Sequence, residues 1–190
     1  MRFKGHVGFS ILILPIFTYS LIEYSYMYED YILNNPLENL NKENLIYSFI
    51  FYIIGERVPD QDLKLKIFMG NKPFYTYHRQ FTHSLILWLS IFICSFYIDY
   101  SHSIYIMYFA LGGLSHLLAD MITGSIPIGL YGHYNKSFKR VGITKFFGKF
   151  LKDFASQKLP IFFDKISGLM FIIGLILIYF INLDKNLFNF

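Results

Sequence analysis

Residues 104–120 read IYIMYFALGGLSHLLAD: an uncharged run from Ile104 to Ala119 that closes on His116 and Asp120, four positions apart. A run of that length is near the lower limit for a helix crossing a bilayer, which takes about 20 mostly apolar residues. Val7 to Ile22, Leu85 to Ile98 and Ser167 to Leu183 are runs of the same kind, and Leu45 to Ile54 is a shorter one. The composition is 54% hydrophobic and 21% aromatic, and the apolar residues clump into these runs instead of spreading with helical or strand periodicity. This pattern predicts an all-α fold, a polytopic membrane helix bundle of about five transmembrane helices in one membrane-embedded domain over residues 1–190. Leu45 to Ile54 has to borrow Glu43, Asn44 and Gly55 to cross, or be only partly inserted.

The charges sort by loop. Arg2 and Lys4 precede the first run, whereas Glu23 to Asn44 carries only Lys42 against Glu23, Glu29, Asp30, Glu38 and Glu43. The next connection holds Arg57, Lys64, Lys66, Lys72 and Arg79; Asp99 to Ser103 holds no Lys or Arg; and the following one holds Lys136, Lys139, Arg140, Lys145, Lys149, Lys152, Lys158 and Lys165. Lys185 is alone in the tail. By the positive-inside rule the N-terminus is expected in the cytoplasm and the C-terminus outside. The start imitates a secretory signal but lacks a small-residue cleavage site after it, which predicts an uncleaved first helix.

Within the basic segment 134–165, Phe146, Phe147, Phe150, Leu151 and Phe154 share one helical face, as in an interfacial amphipathic helix or a helix packed on the bundle. The last transmembrane helix is expected over 166–183. Cys94, the single cysteine, rules out a disulfide within one chain and reads as a packing residue. The net charge of +4 fits basic loops facing anionic lipid, and no nucleic-acid-binding motif accompanies it.

Four short segments hold most of the residues able to ligate a metal: His6 in GHVG, Asp60 and Asp62 in VPDQD, His78 and His83 in HRQFTHS, and His116 and Asp120 in HLLAD. The charge-derived topology brings all four to the cytoplasmic face. His116 and Asp120 share a helical face, which suits two ligands of one metal, a ligand with its supporting carboxylate, or a metal-free hydrogen-bonded pair. Pro59 disfavours helix at Val58 and predicts a turn that can point Asp60 and Asp62 to one place. His78 and His83, five apart, diverge on a continuous helix, so His78 is expected in the loop, Thr82 as the cap of the third helix and His83 in its first turn. His102 is expected in a short external loop, and His133 has no such company.

These segments, in this order, resemble the YdjM-like family of bacterial inner-membrane proteins, usually described as membrane-bound metal-dependent hydrolases. The likeness is carried by His6, Pro59-Asp60-Gln61-Asp62, His78-Arg79, Thr82-His83-Ser84 and His116 to Asp120, with Thr123, Gly124 and Pro127 after them. Glu56-Arg57 departs from it, because the family tends to be apolar there. More distantly, the order His, Asp, His, HxxxD is similar to the zinc-dependent phospholipase C and single-strand nuclease fold.

The resemblance implies a hydrolase in the inner membrane that uses a divalent metal, zinc with manganese or iron as alternatives. The expected ligands are His6, Asp60, His83, His116 and Asp120, with Asp62 and His78 as further ligand, base or supporting groups. Arg79 could hold a substrate phosphate or be a loop charge. The expected partners are membrane lipid and a phosphoester or lipid-linked substrate. A non-enzymatic structural metal site or an ion transporter is the competing reading, although a transporter places its polar groups near the bilayer midplane.

Overall fold

The computed structural model describes residues 3–27, 42–61, 82–98, 100–123, 126–128, 140–142 and 158–187. Among the described residues five α-helices dominate: α1 (Phe3–Met27), α2 (Lys42–Arg57), α3 (Leu85–Ser95), α4 (Tyr100–Thr123) and α5 (Leu159–Leu187). A 3-10 turn, Pro59–Gln61, follows α2. Two-residue strands β1 (Ile126–Pro127) and β2 (Arg140–Val141) pair antiparallel, with Ile126 opposite Val141. The amphipathic segment expected around 146–154 lies outside the described residues.

The protein is a helical membrane protein. His102–Thr123 and Leu159–Phe180 are each long and apolar enough to cross a bilayer by themselves. The 25 residues of α1 rise about 37 Å, while the 11 of α3 rise only about 16 Å, roughly half a hydrocarbon core. As its short apolar run demanded, α2 takes in Glu43, Asn44 and Gly55.

α4 is the hub: α1, α2 and α3 all pack on it, and α5 packs along α1. Ile11 and Leu14 of α1, Tyr52 of α2, and Ile104, Met107, Tyr108 and Leu111 of α4 form the main core. Phe9, Ala119 and Met170 join α1, α4 and α5, and Trp88, Leu117 and Ile126 join α3, α4 and β1. Between the helices, hydroxyls add directional contacts where lipid gives no hydrophobic drive. Tyr52 donates to the Ser10 carbonyl at 2.6 Å, Ser115 Oγ meets Ser10 Oγ at 3.0 Å, and Thr18 meets Tyr108 at 3.2 Å. Ile172, Leu175, Ile176, Tyr179 and Phe180 of α5 are exposed, as lipid-facing residues are.

The α2–α4 contact is backbone on backbone. A Cβ at Gly112 would collide with the Tyr52 carbonyl and come within 2.8 Å of the Glu56 nitrogen, and one at Gly55 would collide with the Phe109 carbonyl. Both residues must therefore be glycine for the helices to approach so closely.

Three local expectations need correction. α5 begins at Leu159, not near 166, because Pro160 is tolerated in a first turn that needs no N–H there, and Asp164 is used within the bundle. The Gly5 N–H donates to Asp164 Oδ1 at 3.0 Å. His102 lies exposed in the first turn of α4 instead of in a loop, and Cys94 is exposed on α3 instead of packed.

A substitution pair tests the packing. Gly112→Ala should cost about 1–3 kcal/mol in unfolding of the detergent-solubilised protein. Gly168→Ala, where an added Cβ meets nothing within 4 Å, should be neutral or stabilising by up to about 1 kcal/mol. Equal effects would contradict the backbone contact.

Candidate metal centre

At the end of the bundle where α1 begins and α2 and α4 finish, five sequence-predicted residues come together: His6 on α1, Asp60 in the 3-10 turn, His83 just before α3, and His116 and Asp120 on α4. Each arrives there for a local reason. Val58 makes the final bond back to the Ile54 carbonyl at 3.1 Å, and Pro59 then has no N–H to continue the helix. The chain tightens into the 3-10 turn, with the Gln61 N–H on the Val58 carbonyl at 3.0 Å, and Asp60 turns toward α4.

His83 is placed differently from the expectation. Ser84, not Thr82, caps α3: its backbone is extended (φ −74°, ψ 125°) and its hydroxyl accepts from Leu87 N at 3.4 Å. Thr82 instead donates its hydroxyl to the Pro59 carbonyl at 3.0 Å and accepts Trp88 Nε1 at 2.7 Å on its own carbonyl. His83 therefore precedes the helix, and Thr82 ties its segment to the Asp60 turn.

Distances within the group are regular. His83 Nε2 lies 3.6 Å from Asp60 Oδ1 and 3.4 Å from Asp120 Oδ2; His116 Nε2 lies 3.7 Å and 3.8 Å from the same two oxygens. These are too long for hydrogen bonds, which run about 2.7–3.2 Å. Metal donors about 2.2 Å from a shared tetrahedral centre stand about 3.6 Å apart, and these four separations are of that size. His6 Nε2 sits 3.7 Å from the other Asp120 oxygen, and its ring stacks on that of His116 at 4.3 Å and 10°. The residues present thus fit a divalent metal: imidazole and carboxylate donors, no thiolate, and His116 shared by two overlapping triads, His6–His116–Asp120 and Asp60–His83–His116.

His6, His83, His116 and Asp120 are all buried, and only Asp60, its side chain 35% exposed, opens to the outside. Burial alone would push the Asp60 carboxyl up, but the close approach of His83 and the charges of His116, His6 and His83 outweigh it and hold Asp60 well below the usual carboxylate range. Asp60 is therefore anionic at neutral pH, as a metal ligand must be.

Asp62, His78, Arg79 and His133 lie outside the described residues. One group was not anticipated as part of the site. Glu56, on the last turn of α2, is 1% exposed and places Oε1 3.5 Å from His116 Nδ1. Its sequence signals are its position four residues before Asp60 and its charge where the family tends to be apolar.

A family model described as YdjM inner membrane protein matches residues 1–186. The chain belongs to the YdjM inner membrane protein family. No curated protein and no solved structure matches it. The YdjM match covers the described helices except the last residue of α5, so both the cluster and the α5 scaffold fall within the family region. The buried Thr123, near the end of that HxxxD segment, bonds back to the Ala119 carbonyl at 3.1 Å and finishes α4.

Thr82→Val removes the donor to the Pro59 carbonyl and should cost about 1 kcal/mol in thermal unfolding. An unchanged midpoint would mean that this bond does not hold the two segments together.

Proposed function

We propose that this YdjM-family protein is a membrane-bound, metal-dependent hydrolase of a phosphoester or lipid-linked substrate at the cytoplasmic leaflet. The reading rests on one observation: the imidazoles of His83 and His116 and the carboxylates of Asp60 and Asp120 face one another at 3.4 to 3.8 Å. Those four residues would hold a divalent cation, zinc before manganese or iron, with His6 on the second oxygen of Asp120. Such a cation would supply Lewis acidity toward a phosphoryl oxygen and acidify a water at neutral pH. The protein's own part is to bury four of the five donors and leave Asp60 the more exposed one. The basic connections support the cytoplasmic side, where Arg79 would bind the substrate phosphate and Asp62 or His78 would accept a proton.

Burial of four of the five donors also suits a structural metal, the non-enzymatic reading. Elemental analysis of the detergent-purified protein beside Asp60→Ala and His116→Ala separates the two. The wild type should carry a stoichiometric divalent metal and release p-nitrophenolate from bis(p-nitrophenyl) phosphate. Both variants should lose metal affinity by at least about tenfold, and hydrolysis with it, while staying folded. A wild type that binds no metal would end the hydrolase reading; metal and fold lost together, with no hydrolysis by the wild type, would favour the structural one.

A further inference from the structure

We infer that Glu56 is a positioning residue for His116, an inference that rests on the metal-site reading above. The two nitrogens of the His116 ring face opposite carboxylates. Nδ1 lies 3.5 Å from Glu56 Oε1, while Nε2 looks toward Asp60 and Asp120. A neutral imidazole carries one N–H, and a carboxylate beside Nδ1 selects the tautomer protonated there. That leaves the Nε2 lone pair directed at the four-donor group, the arrangement in which a carboxylate fixes a ligating histidine and raises its basicity.

Three features make this more than an accidental neighbour. Glu56 is buried at 1% exposure, and Oε2 has no hydrogen-bond partner among the described residues, a costly placement for a carboxylate with no task. Its backbone is fixed, because Gly112 of α4 packs directly against the Glu56 nitrogen. The His6 ring lies flat on His116, which limits tilting of the imidazole, while Glu56 bears on its edge and limits rotation within the ring plane. At 3.5 Å the pair stands a few tenths of an ångström beyond hydrogen-bond length, a gap that a small side-chain shift closes. Glu56 therefore acts through His116 and is not itself a donor of the Asp60–His83–His116–Asp120 set.

Zinc titration of the full-length protein in nanodiscs, with wild type, Glu56→Gln, Glu56→Leu and Asp60→Ala, tests the role. Both Glu56 variants should keep the wild-type stoichiometry but bind about 10- to 100-fold more weakly. Gln should be the milder, because its amide oxygen still accepts from Nδ1. Affinities within twofold of wild type would overturn the inference. So would loss of stoichiometry matching Asp60→Ala, which would make Glu56 a ligand. Nitrogen-15 NMR of histidine-labelled protein gives a second reading independent of metal: His116 should be protonated at Nδ1 in the wild type and a mixture of tautomers in Glu56→Leu. The same tautomer in both would also overturn the assignment. A wild type with the expected tautomer shift but no zinc binding would sink the metal-site reading and, with it, the role of Glu56 as support for a ligand.

Discussion

Carboxylates buried beside a membrane-embedded core set the terms for the rest of this molecule. Asp120 and Glu56 are both 1% exposed. Moving such a charge out of water costs several kcal/mol even after relaxation, unless paired groups compensate it. The compensation converges on one ring: His116 faces Asp120 and Asp60 on one nitrogen and Glu56 on the other, with His6 stacked on its face and His83 edge-on at 5.4 Å. α1, α2, the Asp60 turn, the segment before α3 and α4 each deliver at least one of these groups, so the helix arrangement and the site cannot be separated.

Precision at the site comes from the close approach of α2 to α4. Glycines at 55 and 112 let two backbones touch, and a contact between backbones has none of the rotameric slack of interdigitating side chains. The Glu56 carboxylate and the Asp60 turn thereby inherit a fixed distance to His116. Tyr52, one turn before Glu56, adds a bond to the Ser10 carbonyl of α1, so the helix carrying His6 is registered against the same pair.

Much of the site was legible because its residues announce themselves locally. Four-residue spacing puts His116 and Asp120 on one face, Pro59 forces a turn at Asp60, and apolar runs place His6 and His83 at helix starts. What was not legible depends on contacts between distant segments. Thr82 and Ser84 are both good caps, and only the Pro59 carbonyl, taken by Thr82, decides between them. Glu56 reads as a charge at a helix end that departs from an apolar pattern; its meaning appears only when α4 lies against it. Cys94 looked like core because its run is apolar, but in a membrane protein an apolar run has a lipid-facing side as well as a packed one.

The early start of α5 follows the same logic. Its exposed apolar face needs only lipid, and a helix from 166 onward would satisfy that. The extra turns from Leu159 bring Asp164 to the Gly5 N–H, one of the donors that a helix start leaves without a partner, immediately before His6. Gly8, the next turn of α1, lies against Ser167, whose carbonyl would stand 2.7 Å from an added Cβ. The turn at Asp164, with Ser167 after it, thus braces the first turns of α1. His6 approaches Asp120 from a helix end held on two sides, which explains why a largely lipid-exposed helix keeps a charged residue in its opening turns.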